Sequence, residues 1–327
     1  MRPIENASAA RTCLAALAVG AVLSLILCVV VLLTVAPIDI LPQPATQPPD
    51  RQGTVEQATA TTTVAVMDVG QGMCVVVLAP DGTSMVVDAG RSGDGIENIV
   101  IPYLRENGVT EIDYLVMTHP DQDHIGGMPR LLDQMPVRNF VDPAIPATNQ
   151  TYGHTLERVL EYDVNPILAR AGNSLDLGPG IGADILWPRD PFLIDDGEPA
   201  TNDNSTVIQV TMGDVSFLIT GDIEAAAEGI IVDSLTNDEL QSDVLVVAHH
   251  GSNSSSSAAF LDAVSPSVAV IPVGLDNQYG HPHDEVMQRL RFRGISIHRT
   301  DLDGTVALIT DGEQFTVELN RTATNGQ

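Results

Sequence analysis

The sequence predicts an α/β fold in which two sheets pack face to face beneath flanking helices. Short apolar runs alternate with helical stretches, and they do so in two halves of similar element order. The 327 residues are 44% hydrophobic, enough for one large domain with an appendage. Between a β-prone run at 112–118 and a helical pattern lies a loop that packs His119, Asp121, Asp123 and His124 together. Such a strand-to-helix loop on a rigid scaffold can turn imidazoles and carboxylates toward one point.

In chain order, residues 1–11 form a short N-terminus with Arg2 and Arg11, and residues 12–36 form an uncharged, largely apolar segment. At about 1.5 Å rise per residue this segment covers roughly the 30 Å hydrocarbon core of a bilayer. A cleaved signal peptide is the alternative, although its apolar core usually runs about 7–15 residues. With arginines before the segment and Asp39 and Asp50 after it, the expected protein is single-pass in the cell membrane with its folded domain extracellular. Cleavage would make it secreted. Residues 37–61 are rich in Pro, Thr, Gln and Ala and read as a tether.

The folded domain is expected over 62–320, with 321–327 as a tail. Strands are predicted at 64–67, 73–78 and 84–87, separated by turn signals such as Pro80-Asp-Gly82, and a helix at 96–107. After the strand at 112–118 come helices at about 125–134 and 155–162. Strands at 185–187, 205–212 and 215–220 open the second half. Helices at 225–234, 257–264 and 283–292 follow, interleaved with strands at 244–248, 268–272, 295–298, 305–309 and 315–319. No internal repeat is strong enough to use.

Against 43 acidic residues stand 15 basic ones, all arginine, for a net charge of −28. Such a surface repels itself and phosphate backbones at low ionic strength. The acids are spread through periodic apolar sequence, which excludes an acidic tail and points to a saline, halophilic milieu. A short arginine cluster occurs at Arg289, Arg291 and Arg293. Cys13, Cys28 and Cys74 provide no disulfide framework and no thiolate metal site.

Several stretches carry potential chemistry. Met117-Thr-His-Pro-Asp-Gln-Asp-His-Ile-Gly-Gly127 concentrates the ligand types, and a surface turn with incidental histidines is the plain alternative. Thr220-Gly-Asp222 closes a predicted strand, where a carboxylate after glycine either approaches a metal or makes an ordinary turn. His249 and His250 end another predicted strand. Because successive strand residues face opposite ways, only one should reach a metal easily; His250 is preferred, with His249 packed or contacting substrate. Gly251 and Ser252 leave room for a substrate phosphate. His281 and His283 flank Pro282 before a helix, and His283 is either a helix-start residue or a substrate contact. Asn204 and Ser205 either orient a water or substrate oxygen or belong to a turn. Asp68 and Gln71 sit in the turn Asp68-Val-Gly-Gln-Gly72.

The spacing His-x-Asp-x-Asp-His resembles the His-x-His-x-Asp-His signature of the metallo-β-lactamase superfamily, with Asp121 where most members carry a second histidine. Within it, the motif is similar to the hydrolase domain of the DNA-internalisation competence protein ComEC and its stand-alone relatives. Met67-Asp-Val-Gly-Gln-Gly72, Val87-Asp-Ala-Gly90, Leu218-Ile-Thr-Gly-Asp-Ile-Glu224, His249-His-Gly-Ser252 and Tyr279-Gly-His-Pro-His283 agree in the same order. The resemblance implies an αββα sandwich, the metallo-β-lactamase fold. It also implies two divalent ions, Mn or Zn, held by His119, Asp121, Asp123, His124, Asp222, His250 and His281, with Asp88 and Asp68 in support. Asp123 would orient the nucleophile, and His281 would either bind the second metal or protonate the leaving group. Three classes compete: a phosphodiesterase or nuclease, an acyl hydrolase of lactams, lactones or thioesters, and a binding module with a degenerate site. The expected partners are a nucleic acid or other phosphodiester and, through the N-terminal segment, a membrane; no protein partner is identifiable.

Overall fold

The computed structural model describes residues 60–93 and 95–320. The expected membrane segment, nearly all of the tether, and the tail lie outside the described residues. Strands follow the chain as β1 (Thr62–Val66), β2 (Val75–Leu78), β3 (Ser84–Val87), β4 (Ile112–Val116), β5 (Val137–Asp142), β6 (Asn165–Leu168), β7 (Ser174–Asp176) and β8 (Ile181–Trp187). A two-stranded hairpin of β9 (Ile194–Asp195) and β10 (Glu198–Pro199) comes next. Then come β11 (Val207–Met212), β12 (Val215–Ile219), β13 (Val244–Val246), β14 (Val268–Ile271), β15 (Ser296–Arg299), β16 (Thr305–Thr310) and β17 (Phe315–Asn320).

The first sheet has the order β17-β16-β1-β2-β3-β4-β5-β6, so the last two strands of the chain return to pair with the first. The second has the order β15-β14-β13-β12-β11-β8-β7. Alternation along each strand sorts side chains into layers. In β1, Val64 and Val66 join a core that also takes Phe217 and Ile219 from β12, whereas Ala65 faces the opposite way. A second apolar cluster joins Ala65, Val76 and Leu115 to Leu104, Met128, Leu131 and Val159 of the helices on that side. A third joins Leu218, Leu245 and Ala269 to Ala227, Ile231, Phe260 and Leu290. Three apolar layers between four layers of structure give the expected αββα sandwich.

Several boundaries differ from the sequence reading. The helix expected at 125–134 is two, Gln122–Ile125 and Met128–Gln134, interrupted at Gly126-Gly127. A Cβ at Gly127 would collide with the Ala89 carbonyl and the Ile96 side chain, so the break allows the loop after β3 to approach closely. The helix expected at 96–107 begins with a π-helical turn, Ile96–Val100, before Ile101–Glu106. The sequence reading missed β5 because Arg138 and Asn139 interrupt its apolar pattern, and β6 because it contains Pro166, which an edge strand tolerates. The strand expected to run to 248 ends at Val246.

Candidate metal centre

Parallel pairing of β3 with β4, and of β12, β13 and β14, sends the segments that follow these strands to the carboxyl ends of their sheets. Asp88 follows β3, His119 follows β4, Asp222 follows β12, and His249 and His250 follow β13. Two bonds tie the sheets together there: Thr206 donates its N–H to the Thr118 carbonyl (2.9 Å) and its hydroxyl to the Met117 carbonyl (3.1 Å).

Asp222 is the hub. Its carboxylate lies 3.1 Å from His124 Nε2, 3.7 Å from His250 Nε2, 3.8 Å from His249 Nε2 and 3.9 Å from His119 Nε2. Asp123 Oδ2 is 3.4 Å from His250 Nε2, and Asp121 Oδ2 is 3.8 Å from His119 Nε2. The other ring nitrogens are fixed by acceptors. His124 Nδ1 faces Asp88 Oδ2 at 2.6 Å and His250 Nδ1 faces the Pro272 carbonyl at 2.7 Å. Neither acceptor can donate, so both Nδ1 atoms carry a proton and both Nε2 atoms are the ones left to face the centre, free to offer a lone pair whenever the ring is neutral. The Thr118 hydroxyl donates to Asp88 Oδ2 (2.6 Å) and is left to accept from His119 Nδ1 (3.1 Å), giving His119 the same orientation.

Burial and the carboxylates act on these rings in opposite directions, and a divalent cation would take the place of the proton that Asp222 and Asp88 otherwise favour on His124. Burial, reinforced by His124, lowers the His119 pKa to about 3, so its imidazole stays neutral. Burial opposes charge on His124, yet the carboxylates of Asp222 and Asp88 outweigh it and raise its pKa well above the ordinary value. For Asp222, burial alone would favour the protonated acid, but His124, His250 and His119 hold the pKa well below the usual range. Asp123 shifts the same way, as the His250 hydrogen bond and the charges of His124 and His250 reverse the effect of burial. Asp121, half exposed, is raised by desolvation. His281 is pushed down to about 4 by burial and by His250, His249 and His283.

Buried polar atoms normally find partners. Here Nε2 of His119, His124 and His250, Oδ1 of Asp222 and Nδ1 of His281 are buried without an aligned hydrogen bond. Divalent cations satisfy such a convergence. Two groups that share His124 are each compact enough to hold an ion, His119 with His124 and Asp222, or Asp123 with His124 and His250. The donors are nitrogen and oxygen only; Cys74 is buried in the layer between the first sheet and its helices. Such a set suits Mn or Zn.

A model of the metallo-β-lactamase superfamily matches residues 67–274, which contain all of these ligand candidates except His281. The chain belongs to the metallo-β-lactamase superfamily. It is a metal-dependent hydrolase of that superfamily, and the expected likeness to competence proteins is met. It is 31% identical over 259 residues to ComE operon protein 3 of Bacillus subtilis, covering 74% of this chain and 32% of that protein. It is 33% identical over 243 residues to competence protein ComA of Neisseria gonorrhoeae, covering 74% of this chain and 31% of that one. The chain thus spans about a third of the length of these curated relatives. The metallo-β-lactamase fold protein YhfI from Bacillus subtilis superposes with a TM-score of 0.51 at 12% identity, over 77% of this chain and all of that one. That likeness concerns the fold.

Within this metallo-β-lactamase domain the structure brings together His119, Asp121, Asp123, His124, Asp222, His249 and His250. His281 lies beside them, its ring centroid 5.7 Å from that of His249 and 6.3 Å from that of His250. His283 packs on His281 at 4.9 Å and accepts the Asn253 N–H through Nδ1 (3.1 Å). Asp88 is a support, holding His124 and Thr118. Asp68 lies apart, accepting the Gly70 N–H within its own turn (3.4 Å) and titrating high because of burial.

Two readings change. His249 and His250 do not alternate as strand residues, because both adopt left-handed backbone (φ 51° and 54°) in the turn Ala248–Gly251, so both Nε2 atoms reach Asp222. Asn204 takes the turn role that the sequence left open. Its Oδ1 accepts the Leu193 N–H and its Nδ2 donates to the carbonyls of Leu193 and Ala200, which staples the loop around the β9–β10 hairpin. Ser205, fully buried, accepts the Asp222 N–H (3.2 Å) and so holds the hub in place. Ser252 bonds Ser254 within the serine-rich loop. Gln71 accepts the Gly274 N–H, a loop tie that the turn motif did not reveal. Sequence reasoning gave Glu224 no role, although its Oε1 lies 3.2 Å from His249 Nδ1 and accepts from the Ser254 hydroxyl. Its position two residues after Asp222 in a quoted motif was the available signal. The arginine cluster is largely occupied: Arg289 donates to the carbonyls of Ser255 and Ser256, and Arg293 pairs with Asp262.

Proposed function

We propose that the protein is a phosphodiesterase that cleaves DNA, acting outside the cytoplasm. The observation that carries this is the thiol-free convergence of four imidazoles on the Asp222 carboxylate, read together with relatives named for competence. Divalent ions there would supply Lewis-acid polarisation of a phosphoryl oxygen and a water acidified toward neutrality.

The chain's own part is orientation. Asp88, Thr118 and the Pro272 carbonyl fix His124, His119 and His250 with Nε2 inward, at little reorganisation cost when an ion enters. Asp123, held ionised by His250, is placed to accept a hydrogen bond from an attacking water and so orient it. His281, with its depressed pKa, is neutral near pH 7, which fits a metal ligand or proton acceptor better than the donor to a leaving group. His283 and Ser252 remain candidates for substrate contact at the rim.

The test is turnover by the purified protein, in high salt with added Mn²⁺ or Zn²⁺, on single-stranded DNA, duplex DNA, RNA and a chromogenic lactam, with Asp123→Ala as control. Cleavage of DNA that Asp123→Ala abolishes supports the reading. Lactam hydrolysis with DNA left intact refutes it.

A further inference from the structure

The loop leading to His281 is shaped to present an aromatic ring. Gly274 donates its N–H to Gln71 Oε1 (3.1 Å) at one end. Asn277 clasps the rest: Nδ2 donates to the carbonyls of Gly274 (3.1 Å) and His281 (2.8 Å), while Oδ1 accepts the N–H groups of Tyr279 (3.2 Å) and His281 (3.0 Å). Held this way, the Tyr279 ring stacks on His281, with centroids 5.6 Å apart and planes 24° apart, yet Tyr279 remains 46% exposed. One face of the ring covers a histidine of the centre, and nearly half of the residue is open to solvent.

Beside it lies a cation. Arg91 Nη2 donates to the Tyr279 hydroxyl at 3.5 Å, a long bond that joins the loop after Asp88 to the loop before His281. The Arg91 backbone sits against Gly72, which abuts the Asp123 carbonyl, and against Gly126, two residues after His124. In a chain of net charge −28 most described arginines are occupied. Arg130, Arg138, Arg158, Arg170, Arg293 and Arg299 are ion-paired; Arg91 is one of those with no carboxylate within ion-pair distance among the described residues, and it is the one beside Tyr279.

We propose that Tyr279 and Arg91 form a docking point for one unpaired nucleobase and its phosphate, which makes single-stranded nucleic acid the substrate class of the metal centre; this rests on the phosphodiesterase reading. Every base has a π-face, so a base stacked on Tyr279 extends the His281–Tyr279 stack without regard to sequence. The Arg91 guanidinium supplies positive charge beside the Tyr279 ring, where a phosphate attached to the stacked base would lie. Duplex bases are already stacked on one another and cannot use this ring unless extruded.

The experiment is fluorescence anisotropy on the full chain carrying Asp123→Ala, in molar salt with Mn²⁺, using an oligothymidylate, an abasic strand of equal length and a duplex. The oligothymidylate should bind about tenfold tighter than the abasic strand, as expected for stacking of one base. Added Tyr279→Ala should abolish that preference and Tyr279→Trp should keep it, while Arg91→Gln weakens both single strands alike. Equal binding of the two single strands, a base preference that survives Tyr279→Ala, or tighter binding of the duplex overturns the proposal. Turnover of a single strand by the unsubstituted chain separates the two readings. Cleavage without base preference removes the platform and keeps the phosphodiesterase; Tyr279-dependent base binding without cleavage keeps the platform and removes the phosphodiesterase.

Discussion

Asp88 governs the centre through hydrogen bonds alone. It is fully buried, accepts the Thr118 N–H (2.8 Å) and hydroxyl, and fixes the His124 ring. Asp88→Ala would strand those donors in a dry interior, so a loss of about 3 kcal/mol of stability is expected, measured by denaturant unfolding in the presence of chelator. Divalent-metal affinity should fall roughly 10–100-fold in competition against a chromogenic chelator, because His124 loses its orienting partner. The identity of the donors decides the metal. Asp121, Asp123 and Asp222 set three carboxylates among the imidazoles and no thiolate is near, so Mn²⁺ should support the highest turnover of metal-free protein. Restoration by Zn²⁺ alone, with Mn²⁺ inert, would contradict that expectation.

Between elements, the ligands are placed by close backbone approach. Gly72, at φ +142°, lies against the carbonyl of Asp123, and Met73 donates its N–H to that same carbonyl (3.1 Å). The turn after β1 thus braces the short helix Gln122–Ile125. A Cβ at position 72 would strike that carbonyl and occupy a backbone region that L residues avoid. Gly72→Ala should therefore cost at least about 2 kcal/mol and loosen Asp123 and His124 together. Thermal unfolding and metal titration on one preparation check this, and an unchanged metal affinity would separate the turn from the centre. The serine-rich loop has its own anchor: Glu228, fully buried on the helix Ala225–Ser234, accepts the N–H groups of Ser256 and Ser257.

At the scale of the whole molecule, charge sets the working conditions. Proteins that grip DNA through many cations lose affinity as salt rises, because phosphate contacts release counterions. Here net charge is −28, and six of the described arginines are already paired with carboxylates. Salt therefore screens repulsion more than attraction, and nuclease activity should rise up to at least roughly 1 M, where the screening length is about 3 Å. A peak near about 0.1 M followed by collapse, with circular dichroism unchanged, would reveal a basic groove. Topology is a separate proposal, resting on the uncharged segment 12–36 and the arginines before it. Among the described residues no helix is long and apolar enough to cross a membrane. Protease added to intact cells should release the domain by cutting within residues 37–61, and full protection would place it inside.

The sequence by itself determined the sandwich and most of the metal-centre candidates. Strand and helix periods are local signals, and His119, Asp121, Asp123 and His124 fall on one loop, so their convergence needed no long-range information. Cross-sheet geometry decided the rest. Left-handed backbone at positions 249 and 250 brought both histidines to Asp222, against the parity a strand would impose. Asn204 was drawn to the carbonyls of Leu193 and Ala200, and Ser205 to the Asp222 N–H, because backbone groups buried by tertiary packing claim the nearest polar side chain. Glu224 met His249 only once the segments after β12 and β13, parallel neighbours in one sheet, had folded over the same end. Residue identity fixes which atoms can bind a metal; the direction in which they point depends on turns and on strand neighbours distant in sequence.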